Sequence, residues 1–413
     1  MKVKKSSAPL IQTIPDHIEA RHWIEWLDSA VDPDIIRLNV RSMNSIRPIE
    51  YLCYSDRLPR TNTGRLATWV LRRYTHTERG GWWCDGLDPL DNWQPMMWGC
   101  FKPDRPVRDE KGKQIKYEHP PKTSTRAFFL RVPLHVWSHV ARRHNKTMPG
   151  NIVVTQSGEA LGFWAWVLEN NIPITITEGA KKAGALLTAG DAAIALPGID
   201  GGYRTPKDAA GNKIGNSYLL PELKPFATNG RSFYICFDHD SKRKTIRNVN
   251  RAISKTGNLL SRSGSNIWVI CWQQPEKGVD DFLFVHGEEL YERVVTNAAS
   301  LELWSGKSYT ELNYSADVTV NHRYLGEVAI PKKAQLVAIK SPKGTGKTKS
   351  LESVVSDALD LGQWVLVVGH RVQLLEALCA RFGIPYITEV RSSDTGAVLG
   401  YGLCVECDSF ARN

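Results

Sequence analysis

Residues 233–240 read FYICFDHD. An apolar run stops abruptly at two aspartates, Asp238 and Asp240, with His239 between them. A short unbroken run of aromatic and β-branched residues fits a strand buried on both faces, as in a parallel sheet. The acids admit two readings. Asp is a common turn residue, so the pair can simply close the strand. Carboxylate oxygens also suit Mg²⁺, which takes one or two of them together with substrate phosphates. His239 alternates away from its flanking aspartates in an extended stretch and is not expected as a ligand.

Outward from this run the chain alternates. IPITITE (172–178) reads as a strand, GAKKAGALLTAG (179–190) as an Ala-rich helix ended by Gly190, and AAIALPG (192–198) as a second strand. A Gly/Pro/Asn-rich excursion (199–230) leads to FYICFDHD; residues 242–262 make a long helix and NIWVICW (266–272) a fourth strand. Strands alternating with helices predict a parallel α/β sheet. Upstream, VPLHVWSHVARRHN (132–145) and GEALGFWAWVLENN (158–171) read as helices, whereas 80–125 is rich in Gly, Pro and Asp and reads as loops with short strands. Downstream, AQLVAIK (334–340), a glycine-rich turn, a helix and WVLVVGH (364–370) predict a second α/β unit.

Ligands of parallel sheets bind beyond the carboxyl ends of the strands. Glu178 ends the first strand, Asp238 and Asp240 the third, and Asp280 and Asp281 in KGVDDFL follow the fourth. Acids gathered there repel one another unless a cation neutralises them. Lys181 and Lys182 follow Glu178 on the first helical turn, placed either to meet phosphates or to offset the acids. Arg243, Arg247 and Arg251 step along the long helix at four-residue intervals, a basic stripe that is either a nucleic-acid contact or a solvated face.

ITEGAKKAGAL, FDHD and KGVDDFL, in that order, resemble the three acidic signatures of a Toprim domain, shared by DnaG-type primases, topoisomerases and some nucleases. The resemblance implies Glu178 as general acid/base and, with Asp238 and Asp240, as a ligand of two Mg²⁺ (or Mn²⁺) ions, and Asp280 and Asp281 as a motif that assists metal binding.

IKSPKGTGKTKS (339–350) has the strand–turn–helix setting of a phosphate loop. Backbone amides around Ser341, Gly344, Thr345 and Gly346 would cradle phosphates, Lys347 would reach the β/γ-phosphates of ATP, and the Thr348 hydroxyl would bind Mg²⁺. Ser341 stands where the general pattern has Gly, but S-P-x-G-T-G-K-T resembles motif I of superfamily 2 helicases, and WVLVVGHRVQLLEAL their motif Ia. No apolar strand ending in Asp-Glu follows, so hydrolysis of ATP by this chain alone is not expected. Taken together, WGCFKPDRP…GKQIKYEHPPK, GFWAWVLENNIPITITEGAKKAGALLTAG, ALPGIDGGYRTPKD, KGVDDFL and the phosphate-loop region resemble cyanobacterial plasmid replication proteins of the CyRepA type, from about residue 60 to about 403. The tail VECDSFARN departs from that pattern, as a truncated helicase half would.

The bulk numbers agree. The chain has 413 residues, 42% hydrophobic and 23% charged, which describes a globular protein of two or three domains. No run approaches the ~18 apolar residues of a membrane span, and the basic N-terminus lacks the apolar core of a signal peptide, so a cytoplasmic protein without a membrane partner is expected. Residues 1–150 hold 25 Lys/Arg against 16 Asp/Glu, and eight of the fourteen tryptophans. Such a segment either tracks DNA and stacks its bases or covers a Trp-rich core. Cys236 and Cys271 fall in apolar runs and are expected to be reduced and buried. Cys404 and Cys407 form a lone C-x-x-C without a second ligand pair, and Cys53, His76, Cys84 and Cys100 lack zinc-site spacing. His135 and His139 share a helix face without a third ligand.

The expected architecture is therefore an α/β protein in three parts. A basic, mixed α+β N-terminal region (1–160) precedes a Toprim-like parallel sheet with flanking helices (161–300) and a partial P-loop, RecA-like domain (301–413). The expected partners are DNA, as single-stranded template or plasmid origin, and nucleoside triphosphates. The expected activity is primase-like nucleotidyl transfer in plasmid replication. The alternative is a DNA-binding module or Toprim nuclease that makes no primers, with a vestigial helicase part.

Overall fold

FYIC (233–236) belongs to the middle strand of a five-stranded sheet in a computed structural model that describes residues 13–228, 230–310, 316–328, 334–392 and 400–404. The chain divides into two compact units, 1–305 and 306–413.

In the first unit, helix α1 (Ala20–Leu27) precedes an antiparallel three-stranded sheet of β1 (Val40–Met43), β2 (Gly81–Cys84) and β3 (Cys100–Pro103). Helices α2 (Leu134–Arg143) and α3 (Phe163–Glu169) lead into the alternating part. That part runs β4 (Ile174–Glu178), α4 (Ala180–Thr188), β5 (Ala192–Leu196), β6 (Ser232–Cys236), α5 (Arg243–Arg262), β7 (Asn266–Val269), α6 (Val279–Thr296) and β8 (Ala299–Ser300). The strand order is β8-β7-β6-β4-β5, parallel throughout except for β8, which pairs antiparallel to β7 at the edge. Ile174, Ile176, Ala192–Leu196, Phe233 and Ile235 are fully buried, which explains why these strands read as continuous apolar runs rather than alternating ones.

One hydrophobic core runs from Ile18 to Trp304 and joins the N-terminal segments to the sheet. Phe128 exchanges backbone hydrogen bonds with Ala195, covering the β5 edge. Of the eight N-terminal tryptophans, Trp23, Trp26, Trp82, Trp83, Trp98 and Trp137 are buried, Trp93 packs partly buried on the core, and Trp69 is exposed. The Trp-rich segment is thus mainly core, and the base-stacking reading does not hold for the buried six. Arg231, 1% exposed, donates to the carbonyls of Val167 (3.2 Å), Leu168 (2.7 Å) and Ile172 (2.5 Å). It thereby ties the last turn of α3 to the start of β6, satisfying carbonyls that the helix leaves without partners. Cys236 is buried as expected, but Cys271 is exposed. The reason is that β7 ends at Val269 and the chain has already left the sheet.

In the second unit, helix α7 (Lys347–Asp360) follows the glycine-rich turn, and β9 (Val365–Gly369) and β10 (Gly400–Cys404) pair in parallel around helix α8 (Val372–Phe382). The strand expected over 334–340 does not form among the described residues. Leu336 is 87% exposed there, and β9 and β10 pair with each other rather than with this segment. An extended segment without a sheet partner leaves its backbone groups to water. Cys407 and the tail 405–413 lie outside the described residues, as does 1–12. No described helix is long and apolar enough to cross a membrane.

Candidate active site

The carboxyl ends of β4 and β6 and the first turn of α6 open onto one cavity of about 350 Å³. Glu178, Asp238, Asp280 and Asp281 all line it, together with Lys181, Lys182, Lys277 and Gly278. Acids that lie 60 and 42 residues apart in sequence thus meet where the parallel sheet predicts. The opposite wall comes from the N-terminal segments, through Trp82, Cys100, Lys116, Tyr117, His119 and Phe128.

The lysines are sorted by their partners. Lys182 Nζ lies 2.9 Å from Asp238 Oδ1. Burial works against its charge, but Asp238 and then Asp280 outweigh that and hold its pKa above the ordinary value. Lys181 Nζ instead reaches Glu25 Oε1 at 3.0 Å, which also accepts from Lys102 Nζ at 2.7 Å, while Glu25 Oε2 takes the Trp82 indole N–H at 3.0 Å. Burial pushes the Glu25 carboxyl up, yet the two lysines prevail and its pKa falls. Both lysines of the first turn of α4 are therefore bound to protein carboxylates. Lys277 Nζ holds Asp240 Oδ2 at 3.0 Å, and the Lys242 amide donates to Asp240 Oδ1 at 2.8 Å. The amide and then the lysine keep the Asp240 carboxyl below its ordinary range. Asp240 does not line the cavity, so FDHD splits: Asp238 faces the cleft and Asp240 fastens the loop.

Burial pushes the Glu178 carboxyl above its usual range; Lys182 opposes the rise and Asp238 adds to it. Burial, then Asp280, raises Asp281 in the same way. Asp280 is 8% exposed, and its Oδ1 has no hydrogen-bond partner among the described residues. Gly278 makes room for it: a Cβ there would stand 2.3 Å from Asp280 Oδ1 and 2.9 Å from Lys182 Cε. A buried carboxylate oxygen without a partner is costly unless a cation supplies one. Four carboxylates line the cleft, while Lys181 and Lys277 are paired with Glu25 and Asp240 outside that set, so the donor set fits a divalent cation bound through oxygen. No three of these acids bring ligand atoms within 4.8 Å of one another; among the described residues Asp32, Asp34 and His135 do so, none lining the cleft. His139 pairs with Glu288 at 2.8 Å.

His239 stacks on Trp272 with ring centroids 4.0 Å apart, and burial lowers its pKa, in keeping with a packing role. On α5, Arg243 and Arg247 are exposed without carboxylate partners among the described residues, whereas Arg251 pairs with Asp200 at 3.3 Å. In the second unit, Gly344 (φ 78°) and Gly346 (φ 80°) shape the turn before α7. The Lys347 ammonium donates to the Ser341 carbonyl (2.8 Å), the Ser341 hydroxyl (3.1 Å) and the Pro342 carbonyl (2.7 Å). Ser341 and Thr345 share a 2.7 Å hydroxyl contact, and Thr348 sits on the first turn of α7.

The sequence alone missed Glu25, Lys116, Tyr117 and Lys277. Only Lys277 carried a signal, through its place in KGVDDFL; the others reach the cleft from segments whose position the sequence does not reveal.

Residues 163–290 match a family described as Domain of unknown function (DUF3854). An uncharacterized protein of Picosynechococcus sp. (strain PCC 7002) is 46% identical over 396 residues, covering 94% of this chain and 39% of that protein. The chain thus spans well under half of that relative's length. Among solved structures, the DnaG primase catalytic domain bound to ssDNA aligns at TM-score 0.38 and 11% identity, over 88% of each chain. The RNA polymerase domain of Mycobacterium tuberculosis primase DnaG aligns at 0.39 and 12% identity, over 70% of this chain and 77% of that one.

Proposed function

We propose that the first unit is a divalent-metal-dependent nucleotidyltransferase of the primase kind, joining nucleotides on single-stranded DNA in plasmid replication. The observation that carries the reading is the buried, unpartnered oxygen of Asp280 in a cleft shared with Glu178, Asp238 and Asp281. Asp238, Asp280 and Asp281 are the residues that would hold Mg²⁺ or Mn²⁺, which would neutralise phosphate charge. Glu178, whose carboxyl burial pushes above its usual range, takes the proton of the attacking hydroxyl. Lys182 fixes the Asp238 carboxylate, and Arg243 and Arg247 offer the strand unpaired cations. The Toprim-like order of the three acidic segments supports this choice of chemistry, and the CyRepA-like segments support its setting. In the second unit, the turn 341–348 would bind ATP, with Lys347 exchanging its carbonyl contacts for phosphate oxygens.

One observation favours a second reading. The Lys182 ammonium already stands among the acids, so the cleft can persist without metal as part of a DNA-binding module. Templated incorporation of labelled nucleotides on single-stranded DNA with Mg²⁺ or Mn²⁺ separates the two. Glu178→Gln and Asp238→Asn should each lower incorporation by about 100-fold or more while leaving single-stranded DNA affinity nearly unchanged. A folded, DNA-binding wild type that incorporates nothing would sink the enzyme reading.

A further inference from the structure

The segment between β3 and Glu118 is a built hairpin. At its base Phe101 and Glu118 exchange backbone hydrogen bonds of 2.8 Å, and the buried Glu118 carboxylate binds Arg73 (3.1 Å) and His76 (3.3 Å). His119 beside it stacks flat on Trp98, with centroids 5.0 Å apart. Further out, the Ile115 amide bonds the Val107 carbonyl (2.8 Å) and the Asp109 amide the Lys113 carbonyl (2.8 Å). The Asp109 side chain then accepts from the Lys111 (3.0 Å) and Lys113 (2.8 Å) amides. The tip is thereby closed by its own side chain, and the base is anchored in the core.

This hairpin brings Lys116 and Tyr117 into the cavity wall facing the carboxylates. Lys113, exposed on the same hairpin, opposes the burial-driven rise of the Glu178 carboxyl pKa less than Lys182 and Lys277 do. The charge pairing around the cleft then becomes informative. Lys102 and Lys181 are held by Glu25, Lys182 by Asp238 and Lys277 by Asp240, each within 3.0 Å. Lys113 and Lys116 have no carboxylate partner among the described residues. Lys116 lines the acidic cavity, and Lys113 is exposed on the same hairpin. Ammonium groups without counter-ions beside an acidic cleft are suited to an anion that the acids themselves cannot hold.

We propose that this hairpin is the triphosphate-binding arm of the cleft, with Lys113 and Lys116 taking the phosphates of an incoming nucleoside triphosphate opposite Asp238 and Asp280. The inference rests on the nucleotidyltransferase reading for the identity of the ligand, and names the side of the cleft from which that ligand is held. A cavity of about 350 Å³ suits a single nucleotide's phosphates and sugar rather than a duplex.

The test uses the full chain carrying Lys347→Ala, which removes the turn at 341–348 as a second nucleotide site. Fluorescent mant-ATP with Mg²⁺ is titrated, and a labelled single-stranded oligonucleotide is followed by anisotropy. The pair Lys113→Ala/Lys116→Ala should weaken mant-ATP by about tenfold or more, because two charge-assisted bonds are lost, and leave oligonucleotide affinity within about twofold. The pair Lys113→Arg/Lys116→Arg should restore most of the nucleotide affinity. Unchanged mant-ATP binding in the alanine pair overturns the proposal. So does a fall confined to the oligonucleotide, which would make the arm a strand contact, and so does a parent that binds no mant-ATP. A parent that binds mant-ATP through these lysines yet incorporates nothing would reject the reaction and leave the subsite standing.

Discussion

Glu178 is a residue whose environment conflicts with its charge. The native state holds its carboxyl proton more tightly than the unfolded chain does, because burial disfavours the ionised form. For a group whose pKa is raised on folding, the stabilising contribution is present below the unfolded value, about 4.3, and is lost as pH rises through the folded value. Glu178→Gln cannot ionise, so in metal-free buffer it should melt higher than wild type at pH 7.5. The difference should shrink toward zero near pH 4. Scanning calorimetry across that range checks it. A variant that melts lower than wild type at pH 7.5 would show that the ionised carboxylate stabilises the fold, and would remove the strain expected of a functional acid.

At the scale of elements, four loops share one scheme. In 60–66, 108–114, 154–160 and 207–213, a Thr or Asp amide bonds the carbonyl four residues on, and a glycine closes the turn. The glycines, Gly64, Gly112, Gly158 and Gly211, sit at φ of 78°, 75°, 95° and 86°. A Cβ at Gly112 would touch nothing within 4 Å, so the cost of Gly112→Ala is that of the left-handed backbone alone, about 1 kcal/mol. That corresponds to about fivefold faster hydrogen exchange at the Asp109 and Lys113 amides, with the global melting temperature nearly unchanged. Equal exchange in the two proteins would show that the tip is not held by this turn.

The elements also show why the sequence could be read only in part. The strands at 174–178, 192–196, 232–236 and 266–269 announce themselves because burial on both faces demands unbroken apolar runs. Their order then brings Glu178, Asp238 and Asp280 together. The role of Asp240 was hidden, because whether an acid faces a cleft or a neighbouring lysine depends on Lys277, 37 residues away. The same limit applies to the basic residues: Lys181 and Lys182 look alike in sequence, yet one serves Glu25 and the other Asp238. AQLVAIK has the composition of a strand but forms none, since composition cannot supply the neighbour that a strand must pair with.

Across the whole molecule, the two units differ in how much they bury. The first joins its N-terminal segments and its sheet in one continuous core, whereas the second rests on a cluster of Leu375, Cys379, Phe382, Ile384, Tyr386 and Cys404. Its strand β9 leaves Leu366 and Val368 about half exposed, at 54% and 52%. Stability scales with apolar area removed from water, so the second unit should unfold first and calorimetry should show two transitions. If the turn at 341–348 binds a nucleoside triphosphate, Mg-ATP at about 100 times its dissociation constant adds about 2.7 kcal/mol to the unit that binds it. The lower transition should therefore rise with Mg-ATP and stop responding in Lys347→Ala, whose ammonium otherwise closes on its own turn. A lower transition that ignores Mg-ATP in the wild type would remove the second unit as a nucleotide site. It would leave the cleft of the first unit as the place where nucleotides act.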